Sequence, residues 1–268
     1  MNGFGNREGN VSMVKILAVG DVTGEIGLEM LRHNLWGIRE DLEIAFAVVN
    51  GENADGTGIK PKQADAILDA GADVITLGNH TYGRREIYAY LDEEERILRP
   101  LNYSAKSPGR GVGVYGTDFG DVCVINLIGR YTMDANTDNP FVAIEQALGR
   151  ISTKIVLVDM HAEVTSERLA MGYNLDGRVS AVWGTHTHVQ TSDACVLPGG
   201  TGYISDLGMT GPERSVLGMK PENSIARFMG EPPGRYETAD GSGKIECAVF
   251  GIDENTGRCL SAEYLRIT

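Results

Sequence analysis

The chain has 268 residues, of which 42% are hydrophobic and 23% charged; this is enough to bury a sizeable core, and no run approaches the ~18 apolar residues of a membrane span. A formal net charge of −13 excludes a broad basic surface for duplex DNA or RNA, but not a small anionic substrate, because bound metal cations invert the local charge. Cys123, Cys195, Cys247 and Cys259 form no C-x-x-C pair, so buried reduced thiols are expected rather than disulfides or a zinc site.

Residues 1–12 (MNGFGNREGNVS) lack the apolar segment of a secretory signal. They are expected to form a flexible extension, with Met13 as an alternative start, and the protein is expected in the cytoplasm. The periodic elements follow in order. A strand is expected at 15–19, then a helix at 26–40 with Leu28, Leu31, Leu35 and Ile38 on one face. A strand at 44–49 leads to a helix at 61–70, which opens on Pro61 and ends before Gly71. Next come a strand at 73–77, a helix at 84–98, a strand at 122–127 and a helix at 141–150. A strand at 155–158, a helix at 165–175 and a strand at 179–183 complete this series. The strands are nearly unbroken Val, Ile and Ala, as expected where both faces are buried. Residues 230–243 read as the longest loop, and 245–251 and 263–267 flank the turn-rich 253–257 as a hairpin. Strand–helix–strand units followed by antiparallel strands predict an α/β fold, a four-layer α/β/β/α sandwich of two mixed sheets, as one domain over 13–268.

Polar residues follow the strands in a pattern. Asp21 follows the first, Asn50-Gly51-Glu52-Asn53 the second and Gly78-Asn79-His80 the third. His161 and Glu163 end the 155–158 run, and Gly184-Thr185-His186-Thr187-His188 follows 179–183. Sites in open α/β sheets form outside the carboxyl ends of strands, so these residues can converge although distant in sequence. Four of the five histidines stand at such ends; His33, on a helix, reads as a surface or structural residue. Imidazoles, carboxylates and amides without a thiolate suit Mn, Fe, Zn or Co. Bland roles stand beside these: Asp21 as a helix cap, Asn50 and Asn53 as turn residues, and Glu163 as a partner of a ligating histidine or a helix-start residue.

Gly20-Asp21, Gly78-Asn79-His80 and Gly184-Thr185-His186-Thr187-His188 resemble the GD, GNH and GHxH blocks of calcineurin-like metallophosphoesterases. That superfamily usually opens with D-x-H and bridges its metals with an aspartate, whereas this chain has Asp21-Val22-Thr23 and Glu52. Both departures resemble the bacterial YmdB-like metallophosphoesterases, which are 2′,3′-cyclic-nucleotide phosphodiesterases. So do residues 50–58 (NGENADGTG), 99–103 (RPLNY), 159–167 (DMHAEVTSE), 184–190 (GTHTHVQ) and 202–212 (GYISDLGMTGP).

The resemblance implies two divalent metal ions, iron or manganese ahead of zinc, cobalt or magnesium. Glu52 would bridge them, with Asp21, Asn53 and His188 on one and Asn79, His161 and His186 on the other. A hydroxide held between the metals would attack phosphorus, and His80 would be the catalytic histidine. Tyr82-Gly83 stands where the family has a tryptophan–aspartate pair. Tyr82 and Tyr203 are candidates for stacking on a base, and Gly208, Met209 and Thr210 for a phosphate-facing loop at the mouth. The expected partner is a small phosphodiester or nucleotide, and a homo-oligomer is expected. Rival readings are a phosphomonoesterase or nucleotidase on the same two-metal core, and a nucleotide-binding regulator without turnover.

Overall fold

The computed structural model describes residues 12–133, 136–232 and 237–268. Of the expected N-terminal extension, all but Ser12 lies outside the described residues. The elements in chain order are β1 (Met13–Val19), β2 (Asp21–Val22), α1 (Gly24–Leu42), β3 (Ile44–Asn50), α2 (Pro61–Asp69), β4 (Val74–Thr76), α3 (Ile87–Glu93), β5 (Ile97–Leu98), β6 (Val112–Thr117) and β7 (Gly120–Ile128). They continue with α4 (Pro140–Leu148), β8 (Ile155–His161), α5 (Thr165–Leu175), β9 (Ala181–Thr185), β10 (Cys195–Val196), β11 (Gly202–Ile204), β12 (Met209–Pro212), α6 (Pro221–Phe228), β13 (Gly243–Asp253) and β14 (Cys259–Ile267).

One sheet runs β2-β12-β13-β1-β3-β4-β5, with β14 also paired to β13; the other runs β10-β11-β9-β8-β7-β6. Within the first, β1, β3, β4 and β5 are parallel, while β13 is antiparallel to β1. Within the second, β7, β8, β9 and β11 are parallel.

The period-2 alternation of strand side chains makes the layers. Ile16 and Ala18 of β1, Phe46 and Val48 of β3, Val122 and Val124 of β7, and Ile155 and Leu157 of β8 form one core between the sheets. Their neighbours Leu17, Val19, Ala47 and Val49 face the opposite way, against Leu28, Leu31 and Leu35 of α1 and Ile67 of α2. Cys123, Ile125, Val156 and Val158 likewise meet Ile144 of α4 and Met171 and Leu175 of α5. The result is the expected four-layer α/β/β/α sandwich. Trp183 and Phe250 stack across its centre with ring centroids 5.9 Å apart.

The helix expected over 84–98 is shorter. It ends at Glu93, and Ile97 and Leu98, both fully buried, extend the sheet beside β4. Three cysteines are buried, but Cys195 is exposed on the edge strand β10; all four are free. His33 is exposed on α1. No helix among the described residues is long and apolar enough to cross a membrane.

Candidate metal centre

The carboxyl ends of β1, β3 and β4 from one sheet meet those of β8 and β9 from the other. His161, the last residue of β8, is fully buried there. Its Nε2 lies 3.2 Å from Glu52 Oε1, 2.9 Å from Asn79 Oδ1 and 3.1 Å from His186 Nδ1. Glu52, His161 and His186 each offer one ligand atom, all within 4.8 Å of one another. Asp21 lies alongside, its Oδ1 3.9 Å from His161 Nδ1 and its Oδ2 accepting the His186 N–H at 3.1 Å. On the other flank, Asn53 Nδ2 is 3.2 Å from Glu52 Oε1 and 3.0 Å from His188 Nε2. Glu52 therefore stands between the two groups, and its Oε2 accepts the His80 N–H at 3.0 Å.

Hydrogen-bond direction fixes what each ring presents. Asp159 Oδ1 accepts the Thr185 hydroxyl at 2.7 Å, so Thr185 Oγ1 accepts from His161 Nδ1 at 2.9 Å. Nε2 of His161 is thereby aimed at the centre. His186 Nε2 donates to Glu163 Oε2 at 3.1 Å, which leaves a lone pair on Nδ1. His188 Nδ1 donates to the Leu217 carbonyl at 3.1 Å, which leaves a lone pair on Nε2. Around His161 Nε2 the acceptors Asn79 Oδ1, His186 Nδ1 and Glu52 Oε1 thus converge with too few protons to satisfy them, while Asn53 Nδ2 serves His188 Nε2. Asp21 Oδ1 is buried with no hydrogen-bond partner among the described residues, a costly condition unless a cation faces it. Donors at about 2.1 Å from one cation and at right angles are about 3 Å apart, which matches the spacings around His161 Nε2. The donor set fits borderline or hard divalent cations.

Electrostatics agree. Burial drives Asp21 well above the ordinary carboxylate range. Burial opposes charge on Glu52 too, but adjacent His161 outweighs it and holds Glu52 at about 2. Burial likewise works against His161, yet Glu52, Asp21 and Asp159 raise it to about 9. His186 is pushed down to about 3, by burial and then by His161. These carboxylates thus favour a proton on His161, and a divalent cation would replace it.

Backbone strain marks the same place. His186 and His188 have φ of 111° and 60°, in a region that side-chain-bearing residues seldom enter. Gly78 has no alternative: a Cβ there would overlap His161 Nε2 and the Glu52 carboxylate. A cleft of about 750 Å³ opens over the centre, lined among others by Asn53, His80, Arg84, Glu163, His186 and His188. A depression of about 710 Å³ near Phe46, Asp73 and Tyr115 is lined by Asp73 and Asp118 but by no histidine.

Several sequence expectations change. Tyr203 is 1% exposed, packs in the core under α5 and bonds Ser205 Oγ, so no base can stack on it. Tyr82 is wedged between Tyr88 and Tyr103 with its hydroxyl on the Pro108 carbonyl, away from the cleft lining. Gly208, Met209 and Thr210 form no loop at the mouth; they are buried and Met209–Pro212 is strand β12. They serve Asp21 instead, since the Gly208 carbonyl accepts its N–H and Met209 pairs with it. Asn50 is buried, donating to Asp159 and Thr185 beneath His161. Glu163 bonds His186, one of the two roles weighed for it.

Sequence reasoning missed Thr185, Asp159 and Asp206. Asp206 Oδ2 accepts the Thr187 N–H and hydroxyl and pairs with buried Arg168, while Oδ1 accepts the Gly208 N–H. It thus braces both the H-x-H turn and the segment that holds Asp21. A signal was present in its place within residues 202–212 (GYISDLGMTGP).

With this geometry in view, the comparisons are specific. The family model described as "YmdB-like protein" matches residues 17–265. A Bacillus subtilis (strain 168) protein named 2′,3′-cyclic-nucleotide 2′-phosphodiesterase is 39% identical over 95% of this chain and 97% of its own. A crystal structure of a novel phosphatase from Mycoplasma pneumoniae superposes with TM-score 0.90 at 30% identity, covering 96% of this chain and 94% of that one. A Thermus thermophilus protein described only as hypothetical superposes with TM-score 0.88 at 36% identity, covering 95% and 99%. The chain belongs to the YmdB-like family of metallophosphoesterases.

Proposed function

We propose that this chain is a divalent-metal-dependent phosphodiesterase that opens 2′,3′-cyclic nucleotides. The observation that carries this reading is the set of lone pairs from Asn79, His161, His186 and Glu52 converging within about one ligand-to-ligand spacing, beside the unpaired Asp21 Oδ1. The name of the Bacillus subtilis relative supports the substrate class. Asn79, His161 and His186 would hold one cation, Asp21, Asn53 and His188 the other, and Glu52 both. When bound, such a pair supplies hydroxide near neutral pH and offsets the phosphate charge; iron or manganese suits these donors.

The chain's own residues then have distinct tasks. Thr185 and Asp159 keep the His161 Nε2 aimed inward, and Glu163 does the same for His186 Nδ1. His80, which lines the cleft beside Asn79, would give a proton to the leaving ribose oxygen. One water adds across the bond: its oxygen joins phosphorus, the bond to O2′ breaks and O2′ takes a proton. The product is a nucleoside 3′-phosphate. The cleft volume suits a mononucleotide.

A second reading, a phosphomonoesterase, is favoured by the description of the Mycoplasma pneumoniae relative as a phosphatase. Purified protein with added Mn or Fe should convert adenosine 2′,3′-cyclic phosphate to adenosine 3′-phosphate and stop there. Faster release of phosphate from adenosine 3′-phosphate would favour the monoesterase instead.

A further inference from the structure

The backbone of residues 128–132, beside the centre, is held more firmly than a connection requires. It begins where β7 ends: Ile128 is in register with His161, and the Gly129 N–H donates to the His161 carbonyl at 2.9 Å. Asn102, from the RPLNY stretch, is 2% exposed and ties Ile128 to Asp138. Its side chain bonds the Ile128 N–H and carbonyl, and also the Asp138 carbonyl. Glu167 of α5, 6% exposed, reaches under this segment and accepts the N–H groups of Arg130 at 3.0 Å and Tyr131 at 3.4 Å. Gly129 permits this, because a Cβ there would crowd the Glu167 carboxylate. Thr132 adopts φ 60°, a conformation that persists only where the surroundings impose it.

Two buried polar side chains thus fix the backbone from which Arg130 and Tyr131 project. Tyr131 is 70% exposed. The Arg130 guanidinium has no hydrogen bond or ion pair with any described residue. Both side chains line a cavity of about 410 Å³ with Asn139, Pro140, Phe141 and Glu167. The cleft over the centre is lined by Glu163, just ahead of α5, and this cavity by Glu167 near the helix start, so both spaces border the beginning of α5.

A guanidinium with no partner among the described residues, beside the exposed Tyr131 ring and the partly buried Phe141 ring, is the chemistry that takes a phosphate and its neighbouring base. We infer that the Arg130–Tyr131–Phe141 cavity is a second nucleotide subsite, for the residue preceding a 2′,3′-cyclic phosphate at the 3′ end of an RNA oligomer. The internucleotide phosphate lies on Arg130 and the preceding base on Tyr131 and Phe141. This rests on the cyclic-nucleotide reading of the adjacent centre and names a longer substrate for it.

The test compares adenosine 2′,3′-cyclic phosphate with the dinucleotide ApA ending in a 2′,3′-cyclic phosphate, on Mn-loaded protein. Wild type should prefer the dinucleotide in kcat/KM. In Arg130→Ala and Tyr131→Ala the dinucleotide-to-mononucleotide ratio should fall by about tenfold, the scale of one lost stacking contact. Calorimetric titration with ApA 3′-phosphate should show a matching loss of affinity. A ratio and an affinity equal to wild type in both variants would overturn the subsite. If neither cyclic substrate is hydrolysed, the reading of the centre fails, and the ApA 3′-phosphate titration still decides the subsite.

Discussion

His161 and His188 present the same atom to the same centre, yet they are held by different means. His161 ends a strand with partners on both sides, and a hydroxyl and a buried carboxylate fix its ring. His188 stands in a turn with φ 60°, and its ring leans on the carbonyl of Leu217, itself at φ 54°. One flank takes His161 from the sheet and only His186 from the strained H-x-H turn; the other takes His188 from that turn, against a second strained turn at Leu217. The sheet flank should therefore be the stiffer, and the turn flank should depend on whatever braces the turns. Asp206 is that brace, since it grips Thr187 between the two histidines and the Gly208 N–H behind Asp21.

Substitutions can break or sharpen this contrast. Glu52 belongs to both flanks, so Glu52→Gln should have the largest effect. Activity should drop well beyond the ~10–100-fold typical of an outer partner, with loss of bound metal by elemental analysis. Asp206→Ala strands the buried Arg168 charge. It should cost about 3–5 kcal/mol in denaturant unfolding and release metal from the turn flank first. Thr185→Val removes the hydroxyl behind His161; metal affinity at the sheet flank should weaken by ~10–100-fold, seen in chelator competition, with a stability loss of about 1–3 kcal/mol because buried Asp159, Asn50 and His161 lose a hydrogen-bond partner. Glu163 is half exposed, so Glu163→Gln should be the mildest, altering kcat by only a few-fold. Equal metal loss from both flanks in Asp206→Ala would remove the distinction between them.

Much of this was legible before any coordinates. The nearly unbroken apolar runs of β1, β3, β7 and β8, alternating with helical patterns and followed by an antiparallel hairpin, are enough for two sheets and outer helices. The strand-end positions of His161, His186 and His188 reflect a rule of parallel sheets, so the centre could be located from sequence. What escaped depends on tertiary partners. Strands of two to four residues, such as β2, β5 and β12, have no periodicity to read; neighbouring strands make them. Tyr203 carries the same side chain whether it lines a cleft or fills a core, and only the packing of α5 decides. Thr185 and Asp206 are ordinary in sequence because their role is to hold other residues. Cys195 lies in a short apolar stretch, but at an exposed edge.

The most direct measurement is anomalous X-ray scattering from crystals of manganese- or iron-loaded protein at the metal edge. Two peaks are expected on either side of the Glu52 carboxylate, one among Asn79, His161 and His186 and one among Asp21, Asn53 and His188. No peak at saturating metal, or peaks remote from Glu52, would contradict the assignment of these residues as a paired metal centre.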